Sequence, residues 1–527
     1  MTEHAAPDLD ALVRALQRPE CYPHDAHDLA IVHTHASIVA LVDAHVYKFK
    51  RPVSLGFLDY STPALRLAAC EAEVALNRRL APDVYLGVTW LREGPQGLSL
   101  GPQGQPREPC VHMRRLPDEA SLSWHVEHDT LGRAQLAAVA ARLQRFHAQA
   151  RRGDDVRAWA RFEPVLRNVL DNFEALRAQP QLDMAALLER LEQATAPQWL
   201  QLRALVERRA ALACEGHGDL RLEHVYLLPP GDVPTVIDGV EFSLPLRALD
   251  PVADLAFLAM DLQCHGAWWA ADALWQASLP PGDEAWALVE PYVAYRSLVR
   301  AKVRALQAAA GGDAAPRLWA LARAHVLQAM VATLPVEQRP LLVLVAGLPG
   351  TGKSVLAHGL EQHAGMVWLR ADAIRKQLAG LGEHASAHTQ VRAGIYTPAW
   401  NDRTYDECLA RAAAELGRGG RVVVDASFKE EGRRRAFVDL ARGLGIPVRL
   451  LTCEAPTAAV RQRLAARHDD ASDADWGIYE HVRATWEPLS GRCAAIAHAI
   501  DTSDAPQASL AAALRALASP CPGPPES

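Results

Sequence analysis

The residues best suited to chemistry in this 527-residue chain form one run, Gly347-Leu348-Pro349-Gly350-Thr351-Gly352-Lys353-Ser354. Its spacing is G-x-x-x-x-G-K-[ST]. Glycines there let the backbone curl until successive N–H groups point at phosphate oxygens. A helix opening behind the run adds the positive end of its dipole. Lys353 would then reach the β/γ-phosphates of ATP, and Ser354 would offer its hydroxyl to Mg2+. Downstream, Asp372 and Arg375 in RADAIRKQL share a face if a helix begins there. Asp425 closes the apolar run VVVD, where a second carboxylate can orient Mg2+ or water beside the phosphates. Arg463 and Arg467 lie at i, i+4, and cations on one such face can stabilise a transferring phosphoryl group. Plainer readings stand beside these: Asp372 as a helix N-cap, Asp425 as a structural carboxylate, both arginines as solvated charges.

A second constellation lies in the first half. Gly216-His217-Gly218-Asp219-Leu220 precedes two short apolar strands, VYLL and TVID, around a PPGD turn. Asp219 is thus expected before a hairpin, with Asp238 on its far strand. Carboxylates placed this way suit phosphoryl transfer, one near an acceptor hydroxyl and one on a metal. Upstream, HASIVALVDAHVYKFKRP reads as a strand hairpin with Lys48 and Lys50 on one face.

These residues carry two resemblances. The phosphate loop, Asp372-x-x-Arg375, the strand ending in Asp425 and the Arg463/Arg467 lid are similar to small P-loop kinases of the polynucleotide-kinase type. That resemblance implies a parallel sheet flanked by helices, Asp372 as the base for an acceptor hydroxyl, Arg375 as an acceptor-positioning residue, and Arg463 and Arg467 as lid cations. HGDLRLEHVYL and IDGVEF resemble the catalytic region of aminoglycoside phosphotransferases and related protein-kinase-like enzymes, which implies a two-lobed α+β domain. It maps Asp219 to the catalytic base and Asp238 to the metal-binding Asp. His224 falls at a second metal position, an Asn in that family, and imidazole is a poor Mg2+ ligand. Lys48 with Glu73 is the implied phosphate-holding pair, with Lys50 and Glu71 as alternatives. Asp254 is implied as a structural brace for a helix. HTHASIV stands where that family has a glycine-rich loop. As a whole the chain resembles bacterial proteins that fuse these two domains.

The elements that must position these groups are legible in outline. LLVLVA reads as a buried strand before the loop, and VLAHGLEQH as the helix after it. Pro335 to Pro340 punctuates the chain, giving a kinase-like part over 1–335, a P-loop part over 336–518 and a disordered tail over 519–527. Half the residues are apolar and 22% are charged, a globular composition. The formal charge of −7, from 55 Lys plus Arg against 62 Asp plus Glu, disfavours a long nucleic-acid ligand. The acidic N-terminus, the lack of a long apolar span and nine scattered cysteines suggest a cytoplasmic protein without disulfides. The expectation is an ATP-dependent phosphotransferase acting on the hydroxyl of a small molecule or a nucleic acid, with no membrane and no obligate protein partner. The alternative makes the first half a non-catalytic binding module attached to a nucleotide switch.

Overall fold

The computed structural model describes residues 8–34, 36–54, 58–382, 395, 397–466, 475–519 and 522–523. The chain divides into two compact units, Met1–Val165 with Ala204–Leu258 and Leu166–Arg203 with Ala259–Ser527.

The first unit opens on a six-stranded antiparallel sheet of β1 (Leu29–His33), β2 (Ser37–Val42), β3 (His45–Lys50), β4 (Tyr85–Gly94), β5 (Gly97–Ser99) and β6 (Gln105–Arg114), in the order β1-β2-β3-β6-β4-β5. Strand alternation divides β3 between two cores. Tyr47 and Phe49 join a cluster with Leu16 and Ile38, while Val46 faces Cys70 and Val74 of the helix Pro63–Asn77. Lys48 and Lys50 share the Val46 face and so meet that helix. The helix has Pro63 at its first position, and the Thr62 hydroxyl accepts from Leu65 N–H, a capped start. Further along come the short pairs β7 (Cys214–Glu215) with β10 (Ala248–Leu249), and β8 (Val225–Leu228) with β9 (Val233–Val236). The expected hairpin is β8–β9, but Asp238 lies two residues past β9 rather than on it, at φ +64°. A turn therefore aims its carboxylate.

The second unit holds a parallel five-stranded sheet ordered β12-β13-β11-β14-β15, from β11 (Leu341–Ala346), β12 (Val367–Arg370), β13 (Arg421–Asp425), β14 (Val448–Glu454) and β15 (Ala497–Asp501). β11 and β13 are buried along their whole length, as strands covered on both faces must be. The expected loop-to-helix junction is present, with the helix Lys353–Ala364 opening at Lys353. The helices Ala185–Gln201, Trp286–Ala309 and Ala315–Thr333 fall in this unit. A short turn, Val336–Gln338, links the last of them to β11. The tail expected over 519–527 lies largely outside the described residues. No helix among the described residues is long and apolar enough to cross a membrane.

Candidate active sites

In an open parallel sheet, ligands bind beyond the carboxyl ends of the strands. Here that end gathers the glycine run. Gly347 has φ +144°, and a Cβ there would lie 2.7 Å from the Cys453 carbonyl oxygen. Gly352 has φ +86°, a left-handed turn that aims the loop into the following helix. Pro349 brings no N–H, so the donors come from the other loop residues. Lys353 Nζ donates to the Leu348 carbonyl at 2.9 Å, and Thr351 Oγ1 donates to the same oxygen at 2.8 Å. The ammonium thus lies folded over the loop it would share with a phosphate.

Register places the carboxylates beside it. Asp425 pairs with Val345 on one side and Arg370 on the other, so it sits next to the strand that feeds the loop. Its side chain is buried with the Ser354 hydroxyl nearby, and Oδ2 has no hydrogen-bond partner among the described residues. Burial raises the Asp425 carboxyl above its ordinary range, and Lys353 only partly offsets this. A buried carboxylate oxygen with nothing bonded to it, beside a serine hydroxyl, fits a hard divalent cation. Among the described residues no three His, Cys, Asp or Glu side chains are grouped to hold a metal by themselves. An ion here would therefore need phosphate oxygens as well.

Asp372 is the second residue of the helix Ala371–Leu378, whose N-cap is Arg370, so it does not cap that helix. Its Oδ1 accepts from Arg375 Nη1 at 2.6 Å, and Arg375 Nη2 donates to Asn401 Oδ1 at 3.2 Å. Arg463, in the helix Thr457–Ala465, donates from Nη2 to the Thr502 carbonyl at 2.6 Å. Its Nη1 lies 3.8 Å from where a Cβ on Gly352 would be, so this arginine flanks the loop. Arg467 lies outside the described residues.

In the first unit the two strand lysines share one acid. Glu73 is fully buried, with Oε1 2.9 Å from Lys48 Nζ and Oε2 2.5 Å from Lys50 Nζ. Glu71 is exposed and takes no part. Lys48 continues to Asp238 Oδ1 at 2.6 Å, and Lys50 to Glu241, which also accepts from Tyr60. Burial alone would raise the Asp238 carboxyl, but Lys48 holds it well below the usual carboxylate range. Asp219 Oδ2 accepts from Arg221 Nε at 3.0 Å. Asp254, fully buried, braces the loop before Asp219 rather than a helix end. It accepts the N–H groups of His217 at 2.8 Å and Gly218 at 2.9 Å, and His147 Nε2 lies 2.9 Å away.

The chain is 31% identical over 463 residues to uncharacterized protein Rv2004c of Mycobacterium tuberculosis (strain H37Rv) and to uncharacterized protein Mb2027c of Mycobacterium bovis, covering 86% of this chain and 90% of each relative. The chain belongs to their family. Residues 342–518 also match the AAA domain family AAA_33. Among solved structures, the chain is similar to a gluconokinase from Sinorhizobium meliloti (20% identity, 34% of this chain and 92% of that one, TM-score 0.25). It is also similar to the GDP and kanamycin complex of APH(2")-IIia (15%, 57% and 94%, TM-score 0.38) and to an ethanolamine kinase from Plasmodium vivax (10%, 59% and 82%, TM-score 0.36). The P-loop resemblance read from the motifs agrees with the family match over residues 342–518.

Within this family member, several site residues carry no motif. Asn77 accepts from Gly239 N–H through Oδ1 at 2.7 Å, and Tyr85 Oη accepts from Asp238 N–H at 3.0 Å, so both fix the turn that carries Asp238. Asn77 follows Glu73 by four residues on one helix face, a signal open to sequence reasoning. Thr502 donates from Oγ1 to the Thr351 carbonyl at 2.6 Å, tying the end of β15 to the loop. No spacing in the sequence announces it.

Proposed function

We propose that the protein is an ATP-dependent phosphotransferase, with its P-loop part moving the γ-phosphate of MgATP to an acceptor hydroxyl. The observation that carries this reading is the Asp425 carboxylate, buried beside Ser354 with one oxygen unbonded, at the mouth of a glycine loop that carries Lys353. The loop amides and Lys353 would hold the triphosphate, and Ser354 and Asp425 would hold Mg2+, whose charge polarises the transferring group. Asp372 would receive the acceptor proton, and Arg375, which bonds Asp372, would orient that carboxylate and the acceptor. Arg463 would add positive charge at the loop. The acceptor is a small-molecule or nucleic-acid hydroxyl. Pro335–Pro340 serves as the junction between the kinase-like part and the P-loop part.

Transfer of labelled γ-phosphate, screened over sugars, aminoglycosides, small metabolites and 5′-hydroxyl oligonucleotides, tests the reading. Lys353→Ala should abolish transfer by the P-loop part. Transfer that survives Lys353→Ala and is lost in Asp219→Ala would refute the assignment to this part.

A second reading gives the first unit a nucleotide site of its own, with Lys48 and Glu73 on the phosphates and Asp238 on a metal. It is favoured by the continuous ion-pair chain from Glu73 through Lys48 to Asp238. In that reading Asp219 is the base, with Arg221 holding its Oδ2.

A further inference from the structure

Both carboxylates of the first-unit site already face a cation that the chain supplies, Lys48 on Asp238 and Arg221 on Asp219. We infer that this site takes one divalent cation, on Asp238, and that the Arg221 guanidinium fills the place of a second. The inference rests on reading the first unit as a nucleotide site.

His224 stands where the kinase-like pattern puts its second metal ligand. Its Nδ1 lies 2.8 Å from the Asp219 carbonyl oxygen, which can only accept. The ring proton is thereby assigned to Nδ1, leaving the lone pair on Nε2. Arg221 Nη2 lies 3.1 Å from that nitrogen and donates to it. The same guanidinium donates from Nε to Asp219 Oδ2 at 3.0 Å, and its Nη1 pairs with Glu223.

Asp238 Oδ2 is 3.5 Å from His224 Nε2, a separation two ligands of one ion can have. Two features of the site exclude that use. The lone pair such an ion needs on His224 is already engaged by Arg221, and that guanidinium also fills the space beside Asp219. Arg221 has little freedom to leave, since its side chain is only 15% exposed. The residues therefore do not fit a second metal. They fit a fixed guanidinium, which can offer parallel N–H donors to phosphate oxygens and carries its charge at every accessible pH. Arg221 is in this sense a positioning residue: it orients Asp219 and His224 and supplies charge where a metal would otherwise do so.

The test uses the full-length chain carrying Lys353→Ala, so that the P-loop does not contribute nucleotide. Mn2+ and a non-hydrolysable ATP analogue are equilibrated with it by dialysis, and bound Mn2+ is counted by electron paramagnetic resonance against retained nucleotide. The expected ratio is one. Replacing both residues, Arg221→Gln with His224→Asn, removes the cation and restores an oxygen ligand, and should raise the ratio to two. Arg221→Lys should keep it at one, which shows that the site tolerates change at this position. Two Mn2+ per nucleotide in the Lys353→Ala chain would overturn the inference and leave the nucleotide reading standing. No retained nucleotide would overturn both. A ratio that stays at one in the double variant would remove Arg221 as the reason.

Discussion

Replacing Asp425 by Asn should make the second unit more stable and less able to use Mg2+. Asp425 is only 4% exposed, and its Oδ2 has no hydrogen-bond partner among the described residues. An unsatisfied buried polar group costs about 1–3 kcal/mol, and more when charged. Asn keeps the shape of the side chain and removes the buried charge, so a gain on the order of 1 kcal/mol is expected, about 2 °C in the unfolding of a unit this size. The ligand-bound state should move the other way. Ligand at 100 times its Kd stabilises by about 2.7 kcal/mol, and a 100-fold weaker Kd at the same concentration leaves about 0.4 kcal/mol. Calorimetry with and without Mg2+ and a non-hydrolysable ATP analogue reads both effects. The sign with pH follows from the raised carboxyl. The folded state binds this proton more readily than the unfolded chain, so the penalty is present above the raised value and fades as pH falls toward about 4. The Asn variant should lack that component. An Asn variant that is less stable without ligand and keeps the full Mg2+-dependent shift would refute the reasoning.

In the first unit, Glu73→Gln leaves each lysine one carboxylate, Asp238 for Lys48 and Glu241 for Lys50. A loss of about 2–3 kcal/mol is expected, at the low end for a broken buried pair, and an unchanged urea midpoint for that unit would contradict it. Asp254→Asn weakens the bonds to His217 and Gly218. It should cost about 2–4 kcal/mol and raise hydrogen exchange at those two amides, and unaltered exchange there would count against the bracing role. His112 lies 3.0 Å from His45 Nδ1 and stacks on Tyr47 at 4.6 Å, and burial, then His45 and His24, lower its pKa to about 4. The folded ring stays neutral while the unfolded one charges below about 6.5. First-unit stability should therefore fall from pH 6.5 toward 4, by about 1–2 kcal/mol after discounting for a partly exposed ring. His112→Gln should flatten that slope in pH-dependent urea melts.

What could be read beforehand follows the range of the interactions. The glycine run, its flanking strand and its helix are local, and all three appear where apolar runs and glycines put them. Strand alternation was enough to put Lys48 and Lys50 on one face. It could not say which lysine takes Glu73, because Glu73 takes both. TVID reads as strand up to Asp238, yet pairing stops at Val236. The turn beyond is held by Asn77 and Tyr85, which are 162 and 153 residues away in the chain. No local pattern encodes such a contact. Arg221 was overlooked for the opposite reason: it lies two residues from Asp219, yet a lone arginine in a loop reads as a solvated charge until His224 and Glu223 are seen around it.

The two sites differ in how their acids are balanced, and that difference has a functional consequence. In the first unit the chain's own lysines and arginine meet Glu73, Asp238 and Asp219. A nucleotide arriving there would compete with carboxylates for cations already engaged, so its binding would break ion pairs as it forms new ones. At Asp425 burial outweighs the help from Lys353, and one carboxylate oxygen is left without a hydrogen bond. A metal ion entering there with a nucleotide would relieve a cost present in the folded protein. Mg2+ should accordingly sharpen nucleotide affinity far more in the P-loop part than in the first unit.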